Sequence, residues 1–357
     1  MFGIKKHKTR NWSVIISACV VLLLSCASPI VDSENDTEFG GEFVGATQGT
    51  TYNIIVANEK VNFSQNEIDS ILHDFDLSLS TYIEESAITK LNNAETILTV
   101  EDPSGYFKEC YAASGKVFEL TDGAFDPSVF PLVEGWGFMK NVDEPMSDQD
   151  VATVMNYIGF DQFHTMSFKN TSVTIDKEDS RFKLDFNAIA QGYSVDVLDD
   201  FLSSRGQKNY YIEIGGELIV RGVNREGVKW RIGIDAPKEH NDTHELDNII
   251  YVSNESIATS GNYRKFYEKD GKKFAHTLNP KTGYPVEHSL LSVTVIADNC
   301  TQADAYATAF MVMGTQTTIE FVENHPELNL KVYLLEAGDN GGIKRVVSKD
   351  FQKYLEE

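Results

Sequence analysis

The chain has 357 residues, 41% of them apolar, which is enough for a hydrophobic core and excludes a disordered polymer. Its formal charge of −23 makes a surface that repels phosphate backbones, so nucleic acid is excluded as a partner.

Residues 1–25 read as a secretion signal: Lys5, Lys6, Lys8 and Arg10 precede an apolar run from Val14 to Leu24 that is short for a bilayer-spanning helix. Leu23-Leu24-Ser25-Cys26 resembles a bacterial lipobox, so Cys26 is the expected lipidated first residue, with a plain cleaved signal or an uncleaved anchor as the alternatives. Lipidation would hold the chain at the extracytoplasmic, periplasmic face of the bacterial envelope. Residues 26–42 include Asp32, Glu34 and Asp36 and suit an acidic tether, leaving 43–357 as a single domain. Beyond Cys26 only Cys110 and Cys300 remain; they suit either a disulfide or, for Cys110 on an apolar helical face, a core position.

Thr51 to Ala57 is rich in β-branched residues and reads as a strand. Ser64 and Glu67 form a capping box before Ile68, Leu72, Phe75 and Leu79, which recur at helical spacing. A second helix is expected over Tyr106–Leu120. Arg181 to Phe186 alternates polar with apolar and suggests a strand, followed by a helix from about Ile189 to Ser204 that stops at Gly206. Tyr210 to Arg221 reads as a strand interrupted by Gly215-Gly216, and Val228 to Ile234 as another. Further strands are expected at 249–253, 273–278, 290–297 and Leu330–Glu336, with a helix from Gln302 to Met313 capped by Thr301. The order indicates an α+β fold of mixed or antiparallel sheets flanked by helices.

Thr301, Asp304 and Thr308 draw attention because Asp304 would fall in a first helical turn, with Thr308 one turn later on the same face. A carboxylate and a hydroxyl so spaced can share magnesium, which takes few protein oxygens; Asp304 as a simple helix-dipole partner fits the same pattern. The run from Leu184 to Tyr193 places Asp185 at a strand end and the small residues Ala188, Ala190 and Gly192 where a helix begins, an arrangement that admits a ligand to the backbone or merely turns the chain. Gly123-Ala124-Phe125-Asp126-Pro127 and Asn279 to Pro285, the latter just beyond His276, are rigid loops with the same two readings. Ser180-Arg-Phe-Lys183, Ser260-Gly-Asn262 and Lys281-Thr-Gly283 match the motifs of penicillin-binding serine enzymes in order, but the first lies in a strand-like stretch and prolines flank the third, so that reading is set aside.

Together the clusters resemble the ApbE family of FAD:protein FMN transferases. The matching segments run in family order from about residue 44 to 314: Gly49–Asn53, Leu79–Tyr82 with Ser86, Ala124–Pro127 with Trp136–Phe138, Leu184–Asp196, Ile212–Glu217, Ala258–Gly261 with Tyr263-Arg264, His276–Pro285 and Ala303–Ala305. The resemblance implies a T-fold-like architecture with FAD in a cleft and magnesium near its pyrophosphate. By position it implies metal ligation by Asp304, Thr308 and the backbone oxygen of Ala188, joined by Thr301. It implies flavin contacts from Tyr82, Ala124, Phe125 and Asp126, and contacts to the rest of the cofactor from Gln48, Asp185, Gln191 and Leu278. Two positions depart from the pattern: Gln48 stands where methionine is general, and Gln191 where lysine is common. The second removes a positive charge from beside a pyrophosphate.

The implied reaction moves FMN from FAD to a threonine or serine of another protein and releases AMP, with His276 as candidate base and Asp126 as the alternative. Family acceptors carry an acidic residue shortly before Ser/Thr-Gly-Ala-Thr/Ser. This chain has only near misses, at Val44–Thr47 and Asp122–Phe125, so the expected acceptor is another protein, such as a membrane redox subunit. Two competing readings are a magnesium-dependent FAD pyrophosphatase, with water as nucleophile, and a flavin-binding lipoprotein without chemistry.

Overall fold

The computed structural model describes residues 40–138, 146–238, 245–262, 266–269, 272–275, 277–338 and 342–355. In chain order the elements are β1 (Gly40–Thr47), β2 (Thr50–Ala57), α1 (Gln65–Leu79), α2 (Ala87–Asn92), β3 (Ile97–Glu101), α3 (Tyr106–Leu120), α4 (Phe130–Gly135) and α5 (Asp148–Val154). They continue with β4 (His164–Lys169), β5 (Ser172–Lys177), α6 (Ala190–Ser204), β6 (Tyr210–Ile214), β7 (Glu217–Arg221), β8 (Trp230–Asp235), β9 (Leu246–Val252) and β10 (Glu255–Gly261). The remainder is β11 (Phe266–Lys269), β12 (Lys272–Ala275), β13 (Leu290–Ala297), α7 (Cys300–Met313), α8 (Thr315–Asn324), β14 (Lys331–Ala337) and β15 (Ile343–Val347).

An eight-stranded sheet in the order β1-β2-β6-β7-β10-β13-β14-β15 forms the frame, and each of its pairings is antiparallel. Strand alternation divides its side chains between two cores. Ile54, Ile212, Ile214 and Ile219 face Ile68 and Leu72 of α1 and Val195 and Leu198 of α6. On the opposite face Leu218, Val220, Tyr333 and Leu335 pack against Trp230 and Ile250 of the β8–β9 hairpin. A third cluster joins α7 to α3 and to the β3-β5-β4 sheet through Phe310, Phe107 and Ile175. Each fully buried apolar side chain of this size contributes about 1.5–3 kcal/mol, so α6 and α7 are held where the site needs them. The α+β expectation is met.

Several local expectations are corrected. β1 starts at Gly40, so Gly40, Gly41 and Glu42 belong to the fold and not to the expected tether. Tyr210–Arg221 is a hairpin: Gly215 and Gly216 adopt φ of 67° and 114°, and Ile214 pairs with Glu217. Arg181–Phe186 is extended but joins no sheet. Its alternation is real, since Phe182, Leu184 and Phe186 are buried, yet Asn92 and the Pro127 carbonyl take the backbone groups of Leu184 and Asp185 that a neighbouring strand would have taken. The cap of α7 is Asn299, whose side chain accepts from the Gln302 N–H at 2.9 Å; Thr301 lies inside the helix and Asp304 in its second turn. Cys110 and Cys300 are both buried and unpaired.

Candidate active site

The site is built where α6 and α7 begin. Asp304 Oδ2 accepts the N–H of Gly192 at 2.9 Å, joining the second turn of α7 to the first turn of α6. A Cβ on Gly192 would lie 2.3 Å from the Cys300 carbonyl and 2.7 Å from Asp304 Cβ, so this approach is open only to glycine. Gly192 is the third residue of α6, so its N–H is one of the first-turn amides that have no acceptor within the helix, and Asp304 supplies one. Thr308, one turn beyond Asp304, faces β10, with its hydroxyl 3.3 Å from Ser260 Oγ.

Burial pushes the Asp304 carboxyl up to about 7; the Gly192 amide opposes that rise and the charge of Asp196 adds to it. Asp196 is itself raised to about 6 by burial, against hydrogen bonds from the Thr301 hydroxyl and from the N–H groups of Thr301 and Cys300. The Thr301 proton is therefore committed to Asp196. Of the expected metal donors, Asp304 lies in the second turn of α7, Thr308 one turn further on, and Ala188 just before the start of α6.

One acid at this corner was not assigned a role by its sequence. Glu217 opens β7 directly after the glycine turn and is 7% exposed. It shares its strand face with Ile219, hence with α6 and α7, and its Oε2 has no hydrogen-bond partner. Burial, and after it the nearby Asp304 charge, hold its carboxyl well above the ordinary range. A signal was present: a charged residue in phase with the helix-covered face of Glu217-Leu-Ile-Val is out of place unless something meets it. Among the described residues no cation pairs with Asp304 or Glu217. Nor do three His, Cys, Asp or Glu side chains form a metal-holding group there. Buried acid without a counter-cation, beside hydroxyl and carbonyl oxygens, fits magnesium, which keeps waters and takes few protein ligands.

The expected flavin contacts lie on neighbouring loops. Asp126 Oδ1 accepts from the Ser128 N–H at 2.7 Å and its hydroxyl at 2.6 Å, while burial pushes the carboxyl up to about 6 against those bonds. Ala124 and Phe125 are buried beside it. The Asp185 N–H donates to the Pro127 carbonyl at 2.7 Å, tying the two loops, and burial raises the Asp185 carboxyl to about 6. The phenol of Tyr82 is near enough to be raised by burial and by the Asp185 charge, yet the residue is 71% exposed. A cavity of about 310 Å³ lies between the Leu120–Ala124 turn, the Asn279–Lys281 loop and the end of α7 and start of α8 at Val312, Met313 and Thr317; of the expected flavin contacts Ala124 lines it. Leu278 instead packs with Leu132, Trp136 and Ile158. Gln191 lies over Gly215, and Gln48, at φ 51° in the β1–β2 turn, has a buried Nε2 without a partner. His276, Tyr263 and Arg264 lie outside the described residues.

The match to the ApbE family model spans residues 48–333. The chain belongs to the ApbE family. Two curated relatives, both FAD:protein FMN transferases, support this membership. The one from Haemophilus influenzae is 33% identical over 322 residues, covering 87% of this chain and 90% of the relative. The one from Vibrio cholerae is 33% identical over 357 residues, covering 97% and 99%. Among solved structures, the flavin transferase ApbE from Vibrio cholerae superposes with a TM-score of 0.76 at 31% identity, over 88% of this chain and 99% of that one. The ApbE protein of Thermotoga maritima gives 0.74 at 30% identity, over 89% and 100%. The ApbE fold is thus the frame on which the helix-mouth acids sit.

Proposed function

We propose that this ApbE family member is a magnesium-dependent enzyme that transfers FMN from FAD to a threonine or serine hydroxyl of an acceptor protein. Family membership together with the buried Asp304, which no cation among the described residues pairs with, is the observation that carries this reading. Asp304, Thr308 and the Ala188 carbonyl would hold the ion, which when bound withdraws charge from the pyrophosphate oxygens. The exposed ring of Tyr82 offers a stacking face for the isoalloxazine, and Ala124, Phe125 and Asp126 wall its pocket. The acceptor hydroxyl forms a bond to the phosphorus on the FMN side, the bond to the AMP oxygen breaks, and the product is a phosphoester with AMP as leaving group. The proton of the hydroxyl goes to His276, whose ordinary pKa suits neutral pH, or to Asp126.

The acceptor we propose is a second protein carrying the acidic-x-x-Ser/Thr-Gly-Ala-Thr/Ser motif, such as a membrane redox subunit. The internal near miss Val44–Thr47 ends in a buried Thr47 within β1, which favours an acceptor outside this chain. A lipid on Cys26 at the outer face would bring the chain within reach of such a subunit.

The test mixes purified protein, FAD, magnesium and an acceptor peptide bearing the motif, and reads the peptide mass. A gain equal to FMN, lost when the acceptor hydroxyl is removed, is expected. Free FMN and AMP with unmodified peptide would replace transfer with pyrophosphate hydrolysis, and unchanged FAD would leave only flavin binding.

A further inference from the structure

We infer that Glu217 is a further acidic ligand of the cation site, its carboxylate meeting the ion of Asp304 and Thr308 directly or through one water. The inference rests on the magnesium reading above and adds a residue to it. Strand parity supplies the direction. Along β7, Glu217, Ile219 and Arg221 share one face; Ile219 packs into the α1–α6 core and Arg221 pairs with Asp199 of α6, so Glu217 also points at the helix layer. On the adjacent β10, Ile257 pairs with Leu218. The next residue, Ala258, is therefore on the helix face beside Glu217, and Ser260, two further along that face, meets Thr308. β7 also abuts the start of α7, where Cys300 Sγ lies 3.6 Å from the Leu218 carbonyl. Glu217 thus sits under the turn that carries Asp304 and Thr308.

Among the described residues this carboxylate takes a hydrogen bond from its own backbone N–H and has no cation beside it. The leading N–H groups of α7 are already satisfied: those of Cys300 and Thr301 by Asp196, that of Gln302 by the Asn299 side chain and that of Ala303 by the Asn299 carbonyl. The Gly192 N–H belongs to Asp304. The side chain over the glycine turn is Gln191, which carries no charge. Oε2 is left buried with no partner. An unpaired buried carboxylate is costly to a fold, and a divalent ion is the partner that answers it and Asp304 together.

The experiment titrates magnesium alone, without FAD or acceptor, into wild type, Glu217→Gln, Glu217→Asp and Asp304→Ala, following heat and the rise in melting temperature. Glu217→Gln should weaken magnesium binding at least tenfold, while its melting temperature in chelator stays at or above that of wild type because one of two like charges is gone. Glu217→Asp keeps the charge but shortens its reach, so it should bind more weakly than wild type; it carries the test if the glutamine variant does not fold. Wild-type magnesium affinity in either folded variant would overturn the inference, as would a lower melting temperature in chelator with unchanged affinity, the mark of a merely structural residue. Asp304→Ala separates the two levels: if it binds magnesium normally the metal reading itself fails, and if it loses binding while Glu217→Gln keeps it, only the role of Glu217 fails.

Discussion

The two ends of β7 carry opposite charges on the same face of the sheet and meet different fates. At one end Arg221 is held by Asp199 at 3.0 and 2.5 Å, and the Tyr210 hydroxyl donates to the same carboxylate at 2.6 Å. At the other, Glu217 and Asp304 share a buried corner where no cation pairs with them among the described residues. The first end is closed, since each charge has its partner within the chain. The second is open, and what it lacks has the sign and the oxygen chemistry of a divalent-ion site. Burial of charge therefore does not by itself mark function; burial of charge that the fold leaves unanswered does.

The largest break of this contrast should come from Asp304→Ala, expected to lower FMN transfer on the order of 10³-fold and, because the Gly192 N–H loses its acceptor, to cost the metal-free fold about 1–3 kcal/mol. Rates at saturating magnesium, with melting curves in chelator, check both halves. Gly192→Ala should strike the fold instead. The added methyl meets the Cys300 carbonyl, so a loss of about 2–4 kcal/mol by denaturant unfolding is expected, with weaker magnesium binding in the fraction that folds. At the closed end, Arg221→Ala leaves Asp199 without its partner. Because the arginine is partly exposed, a loss of about 1–3 kcal/mol is expected, with magnesium affinity unchanged.

The smallest effect sharpens the comparison on the flavin side. The folded-state carboxyl of Asp126 is raised from 3.8 to about 6, so its contribution to stability is full below about pH 4 and is lost as pH rises through 6. The amide introduced by Asp126→Asn would keep an oxygen for the Ser128 donors and has no charge to bury. The stability difference between Asp126→Asn and wild type should therefore shift in favour of the variant by roughly 2 kcal/mol between pH 4 and pH 7, measured by urea unfolding at each pH.

What could be read from the residues follows the strength of local pattern. α3 spans Tyr106–Leu120 as expected because its apolar face repeats over four turns, and α1 carries both halves of its capping box. β1, β3 and β10 were not anticipated: β1 is an edge strand whose alternate residues are exposed, and the other two are short segments whose partners are distant in sequence. Arg181–Phe186 shows the converse, a strand-like alternation with no sheet beside it. The cap moved from Thr301 to Asn299 because Asp196, a residue on another helix, claims the threonine hydroxyl. The spacing of Asp304 and Thr308 was legible since one helix carries both, whereas Glu217 reaches that corner only through the hairpin and sheet order, which pattern along the chain does not encode.

The unpaired state of Cys110 and Cys300 has a practical consequence. No covalent cross-link is involved among the described residues, and both thiols are sealed from solvent. Assembly of this domain thus needs no oxidant or isomerase. Protein made from Gly40 onward in a reducing bacterial cytosol should reach the same fold as protein matured in an oxidising compartment.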